Sequence, residues 1–274
     1  MTLWTIYVVC AEANVVKEIT TKRSIRGMTS VDDELFVLLN QVDNQIAVYS
    51  INDYQLLRHL NLPGLTPEDM TSCVRHKCLY MSDKDNSCID RYDLASSRVN
   101  KWKVPGPPHG LSVTASCSLL VTCRGDPNKL VELSADSGQC VREIALQSDI
   151  VNPWHGIQLT TGKLVVCHGL TNSGLQRVCL AGDDGKVTRS YGGRSGSDSG
   201  QLNSPCHLAV DKDSQFIFVA DYYNDRVVLL SPTLEFVRYV SEELLSPHRL
   251  YIHQATRRLF VGHVRAGGVT VLQF

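Results

Sequence analysis

The chain has 274 residues, of which 43% are hydrophobic and 20% are charged, so it can bury a core and does not have the composition of a disordered protein. Its formal net charge of -1 excludes a general electrostatic attraction to nucleic acid or to an anionic membrane. No apolar run approaches the roughly 20 residues of a membrane-spanning helix. From the net charge and the lack of such a run, we expect neither a DNA nor a membrane partner.

The N-terminal segment contains two strand-like runs. Trp4–Cys10 is rich in β-branched and aromatic residues, and no Lys or Arg precedes it, so the charged start of a signal peptide is missing. Val15–Ile19 resembles a later segment, Val141–Ile144. This likeness predicts that residues 1–25 contain a strand that closes a repeated structure.

A short β-prone run recurs along the chain and defines the repeat. The runs start at six anchor positions: Arg26, Glu68, His109, His155, His207 and His248. Their separations of 42, 41, 46, 52 and 41 residues are typical of propeller blades. A Pro stands one or two residues before each of the last five anchors.

Three further apolar runs follow each of the first five anchors, and two follow the last one, separated by polar turns. Five of the six middle turns contain an Asn: Asn44, Asn86, Asn128, Asn172 and Asn224. Gly267 and Gly268 stand in the sixth turn, and we expect all of these residues to supply the positive φ of a tight hairpin.

The repeat therefore predicts an all-β fold: a six-bladed β-propeller of four-stranded antiparallel blades, forming one domain over residues 1–274. The last repeat stops after three strands, so Val15–Ile19 is expected to complete it and close the ring. Trp4–Cys10 has no place in this scheme. Either it adds a strand at the seam, or the chain is a piece of a longer protein.

The ten cysteines are spread along the chain without the paired spacing of a zinc site. Cys78, Cys123 and Cys167 lie in or beside apolar runs, where free thiols behave as small buried hydrophobes. This distribution favours reduced, structural cysteines in a monomeric cytoplasmic protein.

The fifth repeat resembles the NHL repeat. Gly200–Pro205, Ala209–Asp211, Val219–Asp221 and Asn224–Val227 match the G-Q-F-x-x-P, A-V-D, V-A-D and N-x-R elements of that family. The other repeats match through spacing and the turn Asn. The resemblance implies a six-bladed propeller whose faces bind proteins or, in some members, single-stranded RNA.

The resemblance favours a non-enzymatic scaffold that binds a protein or peptide partner through one face and the channel mouth. No catalytic motif is present to oppose that interpretation. RNA binding is an alternative, because basic residues cluster near two anchors that meet at the seam. The cluster residues are Arg23, Arg249, Arg257, Arg258 and Arg265.

The six anchor residues are predicted to ring one mouth of the channel, because the first strand of each blade lines the axis. Such a ring would be the ligand site, and its histidines could hold a divalent metal for a lyase or hydrolase. Repeat proteins also reuse one residue for purely structural reasons. We therefore predict no cofactor and keep the metal-dependent enzyme as an alternative.

Overall fold

The computed structural model describes residues 13–40, 45–169, 174–241, 244–265 and 267–274. These residues form six four-stranded antiparallel sheets. The first strands of neighbouring sheets contact one another around a complete ring, so the predicted six-bladed propeller is confirmed. No helix of the described residues has the length and apolar character to cross a membrane.

Blades 1 to 3 occupy the first half of the chain. Blade 1 contains β2 (Ile25–Val31), β3 (Glu34–Leu39), β4 (Gln45–Ser50) and β5 (Leu56–Asn61). Blade 2 contains β6 (Met70–Cys73), β7 (Cys78–Asp83), β8 (Cys88–Asp93) and β9 (Val99–Lys103). Blade 3 contains β10 (Pro108–Val113), β11 (Leu119–Cys123), β12 (Lys129–Leu133) and β13 (Cys140–Ala145).

Blades 4 to 6 complete the ring. Blade 4 contains β14 (Pro153–Gln158), β15 (Leu164–His168), β16 (Leu175–Ala181) and β17 (Val187–Arg194). Blade 5 contains β18 (Pro205–Val210), β19 (Ile217–Asp221), a 3₁₀ turn (Tyr222–Asn224), β20 (Arg226–Leu230) and β21 (Phe236–Ser241). Blade 6 contains β22 (Pro247–His253), β23 (Arg258–His263), β24 (Val269–Gln273) and β1 (Asn14–Ile19).

The core consists of six apolar clusters, one between each pair of neighbouring blades. The second strand of each blade is buried on both faces, as in the fully buried β19 and β11, which explains the uninterrupted apolar runs in the sequence. Between blades 1 and 2, for example, Phe36 and Leu38 share a cluster with Leu79 and Met81. Neighbouring blades are therefore held together by side-chain packing.

The ring closes as predicted. β1 pairs antiparallel with β24, placing Val15 opposite Leu272 and Ile19 opposite Val269. The chain's N-terminal strand thereby supplies the outer strand of blade 6 and covers an edge that would otherwise be open. The predicted strand at Trp4–Cys10 lies outside the described residues.

The turn asparagines act through their side chains, and the prediction of positive φ at these residues is wrong for those described. In blades 2 and 5 the positive φ belongs to the next residue, Ser87 (48°) and Asp225 (52°). The Asn86 and Asn224 amides instead donate to the carboxylates of Asp83 and Asp221, at 2.7 Å in each case. Asn44 and Asn172 lie outside the described residues, whereas Gly267 (66°) and Gly268 (103°) adopt the expected positive φ.

Nine cysteines lie within the described residues, and all nine are free. Cys78, Cys123 and Cys167 are fully buried, as their apolar surroundings in the sequence indicated. Cys140 is exposed on the outer strand of blade 3.

Candidate functional site

The antiparallel course of each blade defines two faces. The start of every first strand and the turn between the second and third strands lie on one side, here called the upper face. The turns between the first and second strands, and between the third and fourth, lie on the other side, here called the lower face.

The six anchor residues occupy two different positions on the upper face, so the prediction that they share one place is wrong. The first strand of a blade has a β-bulge near its start, where the pairing with the second strand shifts register. In blade 4 the shift lies between Pro153 and His155, and in blade 6 it lies between Pro247 and Arg249. His155 and His207 stand two residues after their Pro, whereas His109 and His248 stand one residue after theirs. One residue of offset turns a side chain to the other side of a strand.

The residues two places after the Pro form a buried cluster on the channel axis, which we call the axial cluster: Asp69, His155, His207 and Arg249. Arg249 Nε lies 3.2 Å from Asp69 Oδ1, and His207 Nε2 lies 3.7 Å from Asp69 Oδ2. The two imidazole rings stack at 3.9 Å. Gly110 occupies the same position in blade 3, where a Cβ would approach the His155 ring to 2.6 Å.

Asp69 was not among the predicted site residues, and Arg249 was predicted for RNA binding and not for the channel. Counting two residues from each Pro, instead of aligning the histidines, would have brought Asp69, Gly110, His155, His207 and Arg249 to one position.

Charge in the axial cluster resides on the aspartate and the arginine. Burial opposes ionisation of Asp69, but Arg249 and His207 outweigh it and hold the pKa of this carboxyl well below its usual range. Burial, together with neighbouring His207, lowers the pKa of His155 to about 3. Burial also lowers the pKa of His207. At neutral pH the cluster is an ion pair beside two neutral imidazoles.

Ligand atoms of Asp69, His155 and His207 lie within 4.8 Å of one another, close enough for a metal ion. The hydrogen bonds do not fit that use. His155 Nε2 lies 3.0 Å from the Leu111 carbonyl oxygen and must donate to it. His207 Nδ1 accepts from the Leu250 amide at 3.4 Å, which leaves Nε2 protonated towards Asp69.

Arg249 already supplies the positive charge that a metal ion would bring to Asp69. It also donates from Nε to the Arg26 carbonyl at 2.6 Å and from Nη2 to the Glu68 carbonyl at 2.8 Å, so it ties blade 6 to blades 1 and 2.

A second set of close ligand groups, Asp83, Cys88 and Asp90, likewise holds a protein cation. There Lys101 Nζ lies 2.8 Å from Asp90 Oδ1. The axial cluster itself, with its buried and mutually bonded side chains, is a polar plug across the channel.

Above the plug, charged and aromatic side chains surround the channel opening. We call this set the upper mouth: Arg26, Glu68, Lys84, His109, Arg124, Trp154, Tyr222, Tyr223, His248 and Arg265. Glu68 accepts from Arg26 at 2.8 Å and from Lys84 at 2.5 Å, so one carboxylate is shared by two cations. Burial opposes ionisation of Glu68, yet these cations lower its pKa.

Aromatic faces alternate with the cations around the rest of the upper mouth. The Arg124 guanidinium lies 4.2 Å above the Trp154 ring, and His109 meets that ring edge-on. Arg265 lies 5.5 Å from the Tyr223 ring. Burial, with Arg124 adding to it, lowers the pKa of His109 to about 3.

His248 contributes little charge to this set. Burial and the adjacent Arg249 lower its pKa well below the ordinary value. Its Nδ1 lies 3.3 Å from the Ile25 carbonyl oxygen, so the imidazole bridges blade 6 to blade 1.

The structure separates the five residues predicted for RNA binding. Arg23 and Arg265 lie in upper-face loops, whereas Arg249 is buried in the axial cluster. Arg257 is on the lower face and forms ion pairs with Asp211 and Asp213. Arg258 lies at the start of β23, near the Tyr54 ring. They do not form one basic face.

Below the plug, the channel widens into a cavity of about 460 Å³ that reaches the lower face. His155 and His207 of the plug form the inner end of this cavity. Its wall is formed by the later residues of the first strands, such as Ser30, Ser112 and Gln158. Hydroxyl groups there already bond to one another, as between Thr29 and Ser72 at 2.6 Å.

Comparisons with known proteins show the fold alone. No family model matches the sequence, and no curated protein was found to match it. Hydrazine synthase of Kuenenia stuttgartiensis has a similar structure, with a TM-score of 0.67 and 14% identity over 94% of this chain and 98% of that one. Two Bacteroides proteins of unknown function are also similar. For the B. caccae protein the TM-score is 0.66 and the identity 15%, over 84% of this chain and 82% of that one. For the B. thetaiotaomicron protein the TM-score is 0.72 and the identity 10%, over 96% of this chain and 72% of that one.

Proposed function

We propose that this propeller is a non-catalytic binding platform of the NHL type whose upper mouth takes an acidic segment of a protein partner. The propeller fold suits such a role, because a rigid ring presents loops and converging side chains at one opening. The NHL assignment is supported by blade 5, where Arg226 Nε donates to Asp221 Oδ2 at 2.8 Å, joining the matched elements of that repeat.

The charge and shape of the upper mouth carry the proposal. The set contains four cationic side chains and one carboxylate, and that carboxylate is already shared by Arg26 and Lys84. Lys84 retains 38% of its side-chain exposure and Arg265 is exposed, so both can contact a ligand. An acidic peptide would meet complementary charge there and apolar faces on Trp154 and Tyr223.

A peptide suits this surface better than RNA does. A nucleic-acid strand requires a track of cations that follows its phosphates. The cations here converge on the axis instead, and Arg249 and Arg257 are occupied by carboxylates elsewhere.

The proposal is tested by fluorescence anisotropy with a labelled polyglutamate peptide and, separately, an oligouridine of equal length. We expect the peptide to bind, and Lys84→Gln and Arg265→Gln each to raise Kd about tenfold, the effect of losing one favourable charge contact. Lys212→Gln removes an exposed cation from the lower cavity and is the matched control.

The control should leave Kd unchanged. Equal loss of affinity in the control and the upper-mouth variants would refute the location of the site. Binding of the oligouridine without the peptide would replace the proposal with RNA binding. Circular dichroism of each variant establishes that the propeller is folded.

A further inference from the structure

A thiol, an imidazole and a carboxylate lie in line on the lower face, away from the upper mouth. Cys73 ends the first strand of blade 2, His76 lies in the turn that follows, and Asp136 lies in a lower-face turn of blade 3. Cys73 Sγ is 3.1 Å from His76 Nδ1, and His76 Nε2 is 2.5 Å from Asp136 Oδ1.

The hydrogen bonds fix which imidazole nitrogen can take a proton. Asp136 is an acceptor, so His76 Nε2 must carry the hydrogen that faces it. His76 Nδ1 then presents its lone pair to the Cys73 thiol. A nucleophile, a base and an acidic group that orients the base are the parts by which proteins activate a thiol.

A second thiol stands directly across from the first. Cys73 and Cys78 are register partners in the β6–β7 pair, and the turn between them is closed by the Lys77 amide bonded to the Val74 carbonyl at 3.3 Å. Directly opposite residues have Cβ atoms about 4.5–5.5 Å apart, and a disulfide requires about 3.5–4.5 Å. A small local movement would allow the bond.

Burial limits what can reach this site. Cys73 is only 3% exposed, and the His76 side chain above it is 15% exposed. A peptide or another protein cannot approach the sulfur in this arrangement, whereas a molecule of the size of hydrogen peroxide needs only a side-chain displacement. Cys73 is the attacking group of the pair, because His76 lies beside its sulfur, whereas burial raises the pKa of the Cys78 thiol.

We propose that Cys73 and Cys78 form a peroxide-reactive dithiol, with His76 as the base for Cys73 and Asp136 as its positioning residue. His76 takes the thiol proton, and the Cys73 thiolate attacks one peroxide oxygen. The O–O bond breaks, and the leaving oxygen takes the proton from His76. Cys73 becomes a sulfenic acid, having lost two electrons to the peroxide.

Cys78 completes the reaction. Its sulfur attacks the sulfenic sulfur, the S–O bond breaks, and the departing hydroxide takes the Cys78 proton as water. Two thiols and one hydroperoxide thus give one disulfide, one alcohol (or water) and one water. The product is a cross-strand disulfide at the lower end of blade 2.

The test is treatment of the full chain with hydrogen peroxide, followed by peptide mass spectrometry at each cysteine. We expect Cys73 to oxidise about tenfold faster than Cys140, which is exposed and serves as the internal reference. The product should be a Cys73–Cys78 disulfide. In Cys78→Ser, Cys73 should instead accumulate as a sulfenic acid that dimedone traps.

His76→Gln should reduce the Cys73 rate to that of Cys140, and Asp136→Asn should reduce it several-fold with recovery in Asp136→Glu. Arg75→Gln, in the same turn, is the control and should not change the rate. Oxidation of Cys73 no faster than Cys140, or unaffected by His76→Gln in a folded variant, would overturn the proposal.

Discussion

Four side chains meet on the channel axis, and their protonation links the stability of the propeller to pH. In the native state His155 has a pKa of about 3, whereas in an unfolded chain a histidine has a pKa of about 6.5. Between these values the unfolded chain binds more protons, so the free energy of unfolding falls as pH falls through this range.

We expect His155 to remove about 2 kcal/mol of stability between pH 7 and pH 5, from about 1.4 kcal/mol per pH unit below 6.5. Urea denaturation at the two pH values measures this loss. His155→Gln should show a pH-dependent loss smaller by about that amount, and His59→Gln, on an exposed outer strand, should show the native loss. Identical losses in all three proteins would contradict the assignment.

The Asp69 carboxyl does not interfere with that measurement. Its pKa is held below the ordinary range, so its contribution is present above about pH 4 and is lost only as pH falls further. The window from pH 5 to pH 7 therefore reports on the histidines.

At the scale of single elements, one buried arginine joins a strand of blade 5 to the loop that precedes the blade. Arg226 lies in β20 and donates to the Asp221 carboxylate and to the carbonyls of Ser197 and Gln201. Burial raises the pKa of Asp221, and the bonds from Asn203, Asn224 and Arg226 oppose that shift. The Gly/Ser-rich segment before blade 5 is thus tied to the sheet.

Arg226→Gln should lower the free energy of unfolding by about 3 kcal/mol, because it leaves a buried carboxylate without its cation. Hydrogen exchange over residues 196–203 should accelerate at the same time, since two carbonyls lose their donor. Arg189→Gln is the matched control: its partner Glu235 is exposed, and such pairs contribute about 1 kcal/mol or less. Equal effects of the two substitutions would contradict this account.

At the scale of the whole molecule, closure depends on one short strand from the N-terminal part of the chain. Ile19 ends β1, is 6% exposed and belongs to the cluster between blades 6 and 1. Val15 lies in the same strand and is 60% exposed. The strand therefore holds the seam through its buried end.

Ile19→Asp should destabilise the propeller by more than about 3 kcal/mol, because it places a charge in the closing cluster. Val15→Asp should change stability by no more than about 0.5 kcal/mol, since its side chain is in water. Urea denaturation of both variants, with size-exclusion chromatography to detect association through an opened edge, makes the comparison. A large effect of Val15→Asp would show that pairing with β24, and not the cluster, holds the seam.

The blade count, the four strands per blade and the closing strand could all be predicted from the sequence. An apolar, β-prone run such as Phe216–Val219 can be recognised from adjacent residues alone, and its recurrence at similar spacing predicts six equivalent strands. The upper mouth was predicted only in part. Arg26, Glu68, His109 and His248 were predicted there. Lys84 and Arg124 reach the opening from turns, and Trp154 is the residue before an anchor, so these three were not predicted.

The sequence by itself determined the architecture, because short apolar runs and their recurrence every 41 to 52 residues are properties of local order along the chain. Only the tertiary structure decided how the residues on the axis pair with one another. A one-residue bulge after the proline separates two pairs of histidines, and Asp69 of blade 2 pairs with Arg249 of blade 6, which is distant in sequence but near it in the closed ring. The prolines mark one equivalent position in each of five repeats, but which side chains at those positions pair with one another depends on distances across the channel, which the sequence does not give.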